Sequence, residues 1–164
     1  MAQPEGRPHA EIVDAQLFAF VTEHETRTAT RVRYPVSVLT VLPQVEGEDE
    51  PVTADAPTDQ LADAFSALVR STDIIRRSRN SPGLQLLLVA APLESLPGII
   101  QRLASETDAH RFPVNGVLKS MTLSIGGASF PSTAGSAEDL VRRADALAAE
   151  AWQDSSKTSR YRLR

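Results

Sequence analysis

The sequence predicts a single α+β domain in which a mainly antiparallel, five-stranded sheet is flanked by helices. Helix-period segments alternate with β-branched apolar runs, two of those runs flank a short turn, and 41% of the 164 residues are hydrophobic. Helices interleaved with a hairpin and long strands are typical of α+β proteins. A chain of this length is expected to form one compact unit. We therefore expect a flexible tail over residues 1–10 and one domain over residues 11–164, whose core spans 34–164.

The first half of the domain is expected to hold a helix, a central strand and a second helix. Apolar residues at helical spacing predict an N-terminal helix over residues 11–31. The run YPVSVLTVL, residues 34–42, predicts a strand buried on both faces, which Pro43 helps to end. The acidic segment 44–59 has two prolines and no apolar period, and it predicts a surface loop before a helix over residues 58–71.

The second half begins with a predicted hairpin. Two apolar runs, residues 74–75 and 84–89, flank Asn80-Ser81-Pro82-Gly83, whose composition suits a turn. After the hairpin we expect a helix over 93–105 with Pro97 in its first turn, a long strand over 118–130, a helix over 136–152 and an edge strand over 159–164. Gly126-Gly127 in the long strand predicts a bulge or a close approach of another backbone.

Composition argues against several classes of function. A formal net charge of -4 and a pI near 5.4 disfavour nucleic acid as a partner, because that interaction needs clustered Lys and Arg. The longest apolar runs are too short for a membrane span, and the first residues lack the pattern of a signal peptide. The chain has no cysteine, which agrees with a reducing compartment. We expect a cytoplasmic protein.

Three segments of the sequence carry a family resemblance. They are MTLSIGGASFPSTAGSAEDLVRRADALAAEA, YPVSVLTVL and LLLVAAPLESLPGIIQRLA. The first is similar to the SIG strand, FP loop and RAD helix of the GGDEF domain, the catalytic domain of diguanylate cyclases. The second resembles that family's first central strand, and the third resembles the strand and helix that follow the signature hairpin. The resemblance runs from Tyr34 to Leu163. It implies a palm-like nucleotidyl-cyclase fold.

The same alignment implies that the catalytic residues are replaced. The GGDEF signature falls on residues 80–84, which read NSPGL and carry no carboxylate. The family's metal-binding aspartate at the end of the first strand falls on Leu42, which cannot coordinate a hard cation. The lysine that contacts phosphate in the last helix falls near Trp152. The asparagine and aspartate with which the family recognises guanine have no clear match. Without metal, phosphate and base contacts we expect no catalytic residue, no Mg²⁺ site and no cyclase activity.

A second family site is kept. The inhibitory site for cyclic di-GMP consists of R-x-x-D before the signature and an arginine in the next helix. Arg70, Asp73 and Arg102 match it here, so the resemblance implies cyclic di-GMP as ligand, with a homodimer bridged by that ligand as a hypothesis. Arginines can fork onto phosphate oxygens or the O6/N7 edge of guanine, and aspartate can accept from guanine N1 and N2. The auxiliary candidates are Arg76, Arg77 and Arg79, which add local positive charge.

Several alternatives stay open. Arg70 near a helix end and Asp73 three residues later could form a purely structural pair. The fold could serve as a ligand-free interaction scaffold with an unknown protein partner, or the acidic residues Glu46, Glu48, Asp49 and Glu50 could rescue some enzyme activity. The remaining candidates are interpreted as structural or incidental. His9, His24 and His110 lack metal-ligand or triad spacing. Trp152 and Tyr161 could stack on bases but are interpreted as core or interface residues, and Gly126-Gly127 lacks the flanking pattern of a phosphate loop.

Overall fold

The computed structural model describes residues 9–52, 55–77, 82–154 and 159–164. In these ranges the helices are α1 (Ala15–Val32), α2 (Asp55–Ser66), α3 (Leu96–Ala109) and α4 (Ala137–Gln153). The strands are β1 (Glu11–Val13), β2 (Val36–Val45), β3 (Ile74–Arg76), β4 (Leu84–Val89), β5 (Phe112–Val114), β6 (Val117–Lys119), β7 (Met121–Phe130) and β8 (Arg160–Leu163).

Six of the strands form one mixed sheet in the order β1-β3-β4-β2-β7-β8, and β5 pairs with β6 in a small separate hairpin. The three central pairings are antiparallel, whereas the outer strands β1 and β8 run parallel to their neighbours. Strand β2 lies at the centre and pairs over its whole length with β7, from Val36 opposite Phe130 to Val45 opposite Met121. The predicted α+β class is confirmed, with six strands in the main sheet rather than five.

Helices cover both faces of the sheet. The side chains of alternate strand residues point to opposite faces, where they pack in two separate hydrophobic cores. Leu39 and Val41 of β2 face one core, which Phe65 of α2 and Leu103 of α3 help to fill. Val36 and Val38 face the other, where Phe18 of α1 and Leu140 and Ala144 of α4 pack. Burial on both faces explains why β2 is almost continuously apolar.

The N-terminal helix starts later than the sequence predicted. Asp14 caps α1, because its side chain accepts a hydrogen bond of 2.8 Å from the Leu17 amide. Residues 11–13, which were expected to be helical, form the parallel edge strand β1 beside β3. The sequence did not predict this strand, which raises the number of strands in the main sheet from the expected five to six. Its three residues are too few to show an alternating pattern.

Two predicted boundaries around proline were wrong. Pro43 lies inside β2 opposite Leu123, because β4 pairs with β2 only as far as Val41 and no hydrogen bond to that side is needed beyond it. Helix α2 begins at Asp55 and ends at Ser66, not over 58–71. Pro57 is accommodated because the first turn of a helix does not need its N–H groups.

Several other elements agree with the sequence. Strands β3 and β4 form the predicted hairpin, and Pro97 lies in the first turn of α3. The expected long strand is divided at Ser120 into β6 and β7, and β5 was not predicted. Gly126 allows the predicted close approach, since a Cβ there would overlap Ala144 O and Ala148 N of α4. No described helix is long and apolar enough to cross a membrane.

Candidate ligand-binding site

The Arg70–Asp73 segment forms a tight turn between α2 and β3. The Asp73 amide donates to the Arg70 carbonyl at 3.0 Å, and Asp73 Oδ2 accepts from the Arg70 amide at 2.9 Å. Asp73 Oδ1 accepts from the Val89 amide at 2.9 Å, at the end of β4. A short polar side chain that binds nearby amides is a common way to fix a turn. Asp73 therefore sets where the backbone of Arg70 lies relative to the sheet.

The carboxylate of Asp73 is buried, with only 4% of the residue exposed. Burial raises the pKa of Asp73, and the amides of Val89 and Arg70 and the charge of Arg70 oppose that rise. The structural pair of Arg70 and Asp73, which the sequence left open as an alternative, is thus present, but through the Arg70 backbone. Each carboxylate oxygen keeps a second lone pair for a further donor.

Arg70, Asp73 and Arg102 line one cavity of about 260 Å³. Arg102 reaches it from α3, and Arg70 reaches it from the turn after α2. Both arginines are exposed, and neither guanidinium donates a hydrogen bond to a described residue. The remaining walls come from the end of β4 and from neighbouring segments: Leu68, Val69, Leu88, Val89, Ala90, Ala91, Ser95 and Ile99. The cavity therefore combines two guanidinium groups with a buried carboxylate, which suits a ligand that carries both anionic groups and hydrogen-bond donors.

The two auxiliary arginines that the structure describes, Arg76 and Arg77, are engaged elsewhere. Arg77 Nε donates to Asp59 Oδ1 of α2 at 3.0 Å, and the Arg77 side chain is 7% exposed. Arg76 lies opposite Gln85 in the sheet. Burial lowers the pKa of Arg76, and the Asp145 carboxylate of α4 opposes this. Neither residue lines the cavity, and Arg79 lies outside the described residues.

Solved structures with a similar architecture identify the fold. The GGDEF domain of FimX from Pseudomonas aeruginosa matches with a TM-score of 0.76 and 20% identity, over 93% of this chain and 94% of that one. The active GGEEF domain of a diguanylate cyclase from Vibrio cholerae matches with a TM-score of 0.72 and 14% identity, over 92% and 98%. The chain has the fold of a GGDEF domain.

A third match is DgcB from Caulobacter crescentus, solved as coiled coil and GGDEF domain in complex with c-di-GMP. Its TM-score is 0.69 and its identity 9%, over 93% of this chain and 82% of that one. No protein-family model matches the sequence, and no curated protein matches it. The likeness is therefore one of fold, and the site must be interpreted from the residues of this chain.

In the GGDEF fold of this chain, the positions that the alignment assigned to metal binding lie next to each other. Leu42 lies in β2, and a Cβ on Gly83 would be 3.3 Å from Leu42 Cδ2. Gly83 has a φ of +76°, a conformation that favours glycine, and an added Cβ would also overlap Val41 O. Of the NSPGL turn, Asn80 and Ser81 lie outside the described residues. The described part of this junction presents leucine, proline and glycine.

Arg160 of β8 contacts the end of α4, where the family lysine was assigned near Trp152. Its Nε donates to the Ala151 carbonyl at 2.6 Å, and its guanidinium lies 6.0 Å from the centroid of the Trp152 ring. Its Nη2 also donates to the Trp152 carbonyl at 3.3 Å and lies 3.5 Å from Gln44 Oε1. Arg160 thus satisfies carbonyls at the end of α4 and joins that helix to β2.

Of the four acidic residues that could rescue activity, two contact other side chains and the other two are exposed. Glu46 Oε2 accepts from Ser120 Oγ at 3.0 Å, and Glu48 Oε1 lies 4.0 Å from Lys119 Nζ. Asp49 and Glu50 are exposed. Within the described ranges, no group of three or more histidine, aspartate and glutamate side chains is arranged to hold a metal ion.

One contact near the cavity lined by Arg70 and Arg102, here called the arginine cavity, was not predictable from the sequence. Tyr34 hydroxyl donates to Glu25 Oε2 at 2.6 Å and links α1 to the chain just before β2. Both residues line a groove next to Val89 and Ala90, which also line the arginine cavity. Glu25 is one of many polar residues on α1, so only the tertiary structure distinguishes it.

Proposed function

We propose that this GGDEF-fold chain is a receptor for cyclic di-GMP that does not synthesise it. The observation that carries the proposal is the convergence of Arg70 and Arg102, whose guanidinium groups donate to no described residue, on one cavity with the buried Asp73 carboxylate. A GGDEF-fold neighbour, DgcB, was solved in complex with c-di-GMP. The proposal places the chain in the cytoplasm, as a module that reads a second messenger.

The chemistry of the cavity matches the ligand. Cyclic di-GMP carries two phosphates and two guanines, so Arg70 and Arg102 can donate to phosphate oxygens or to guanine O6 and N7. Asp73 can accept from a guanine N–H through the lone pairs that the backbone amides leave. Because the chain is acidic as a whole, attraction of a dianion must come from this local pair of arginines.

The proposal that the chain is not a cyclase rests on the replaced positions. Phosphodiester formation from two GTP molecules needs metal ions to neutralise charge and activate a hydroxyl. Leu42 offers no oxygen ligand at the assigned position, and Trp152 offers no cation for a phosphate. Incubation with GTP and Mg²⁺ or Mn²⁺, followed by chromatography, should give no cyclic di-GMP. Its formation would contradict this part of the proposal.

Calorimetric titration tests the receptor function directly. Cyclic di-GMP should bind the wild-type chain, and Arg70→Ala and Arg102→Ala should each weaken binding at least tenfold, since each removes a charged donor. Arg31→Ala, an exposed arginine on α1, is the matched control and should bind as the wild type does. No heat with the wild type at high micromolar ligand would refute the receptor function.

A ligand-free interaction scaffold is the second candidate, and one observation favours it. Leu17 and Phe20 on α1 are 47% and 70% exposed, which is a large apolar surface for one helix. This function predicts no response to cyclic di-GMP and a stable protein partner whose binding is lost in Phe20→Ser. The calorimetric experiment distinguishes the two candidates.

A further inference from the structure

The arginine cavity is too small to hold a whole cyclic dinucleotide. Its volume of about 260 Å³ lies below the range of ~300–1,000 Å³ typical of ligand sites. A second groove of about 470 Å³ adjoins it and is lined by Glu25, Tyr34, Thr72, Val89 and Ala90. A ligand held by Arg70 and Arg102 can therefore extend across the shared residues into the second groove.

The boundary between the two grooves is fixed by the backbone. Val89 and Ala90 line both of them, and the Val89 amide is held by Asp73 Oδ1 at 2.9 Å. Ala90 has a φ of +56°, an uncommon conformation for alanine. We call Thr72, Val89 and Ala90 the rim. Because Asp73 anchors the rim, the two grooves keep a constant position relative to each other.

The second groove has the opposite charge from the first. Glu25 Oε2 accepts from the Tyr34 hydroxyl at 2.6 Å, and Glu25 Oε1 accepts no hydrogen bond from a described residue. Burial and the neighbouring Glu25 raise the pKa of Tyr34 to about 12, so the phenol stays a donor to Glu25 at neutral pH. One oxygen of an oriented carboxylate thus remains for a ligand donor.

We propose that the Glu25–Tyr34 groove is a guanine-selecting subsite of the cyclic di-GMP site. This inference rests on the function proposed above. A carboxylate repels phosphate but accepts hydrogen bonds from guanine N1–H and the N2 amino group. Adenine presents an acceptor at N1 and no amino group at C2, so it cannot make this contact. When a phosphate of the ligand binds Arg70 and Arg102 and one of its guanines extends across the rim, a single ligand contacts both grooves.

The test compares cyclic di-GMP with cyclic di-IMP, which lacks the guanine N2 amino group, by calorimetry on the full chain. Wild type should prefer cyclic di-GMP. Glu25→Gln should weaken cyclic di-GMP about tenfold, or about 1.4 kcal/mol, and weaken cyclic di-IMP less. Glutamine can still accept from Tyr34, so this variant keeps the contact between α1 and β2. Glu150→Gln, at an exposed position on α4, removes the same charge elsewhere and should bind as the wild type does.

Three outcomes would overturn the subsite. If Glu25→Gln binds cyclic di-GMP like the wild type while Arg70→Ala does not, the subsite is wrong and the receptor function stands. If Glu25→Gln weakens both ligands equally, Glu25 does not contact the guanine amino group, which is the one donor that cyclic di-IMP lacks, and the groove does not select guanine through it. If the wild type binds neither ligand, the receptor function and the subsite both fall.

Discussion

Single residues of the two grooves show what a motif in the sequence can and cannot predict. The R-x-x-D pattern drew attention to Arg70 and Asp73, and both lie in the cavity with Arg102. The pattern did not predict that both Asp73 oxygens would bind backbone amides. It also gave no signal for Glu25 and Tyr34, because their contact depends on how α1 crosses the start of β2.

The structural role of Asp73 predicts the effect of replacing it. Asparagine has one carbonyl oxygen and one amino group, so one of the two amides held by Asp73 would face a donor. Asp73→Asn should lower the free energy of unfolding by about 1–3 kcal/mol in urea denaturation. Asp63→Asn, at an exposed position of α2, should change it by about 0.5 kcal/mol or less. Equal losses in the two variants would contradict the role of Asp73.

The raised pKa of Tyr34 predicts a pH dependence of stability. Tyr34→Phe removes the bond to Glu25 and should cost about 0.5–1.5 kcal/mol at pH 8. The pKa of Tyr34 is about 12 in the folded chain against 10.0 for the unperturbed group. As the pH rises above 10.0, the unfolded state loses the proton first, so wild-type stability falls until the pH passes about 12. Tyr34→Phe lacks this titration. The difference between the two proteins should therefore narrow between pH 8 and pH 11, and a widening difference would refute the assignment.

At the scale of elements, strongly periodic segments were predictable and short or proline-containing ones were not. Helix α4 was predicted to within a residue, because Ser136 caps it by accepting from the Asp139 amide and its apolar stripe is regular. Strand β1 gains its identity only from pairing with β3. Pro43 and Pro57 were interpreted as breaks, although each lies where its missing N–H is not needed.

The docking of α4 on β7 predicts a large difference between two glycines. Gly126→Ala would force a Cβ into Ala144 O and Ala148 N, which are backbone atoms and cannot rotate away. It should destabilise the chain by about 3 kcal/mol or more. Gly98→Ala in α3 meets nothing within 4 Å and should stabilise by about 0.4–1 kcal/mol. Urea denaturation of both variants measures this, and a mild effect at Gly126 would mean that α4 lies farther from the sheet.

At the scale of the whole molecule, the two helical layers are consequences of an apolar central strand, and this was predictable. The cavity was not, because it needs the turn after α2, the end of β4 and the face of α3 to meet at one end of the sheet. From the sequence, only the resemblance to GGDEF domains predicted that Arg102 lies near Arg70. The second groove further depends on α1, which lies in the other layer.

Ligand binding should stabilise the whole domain. At 100 times its dissociation constant, cyclic di-GMP should add about 2.7 kcal/mol to the free energy of unfolding. For a domain of this size that raises Tm by about 5–11 °C. Arg102→Ala at the same ligand concentration should show a much smaller rise. Sedimentation with and without ligand tests the ligand-bridged homodimer, which requires the mass to double on binding.

The contact between Arg160 and Trp152 has an optical consequence. Trp152 is the one tryptophan of the chain, and its neighbour Arg160 also lies 3.5 Å from Gln44, near one end of β2. The rim lies at the other end, where Val89 pairs with Val36, and the eight residue steps from Val36 to Gln44 span about 26 Å of strand. Tryptophan emission therefore observes the part of the molecule farthest along β2 from the arginine cavity. A change of emission on adding cyclic di-GMP would measure how far a disturbance travels along the sheet, rather than contact between the indole and the ligand.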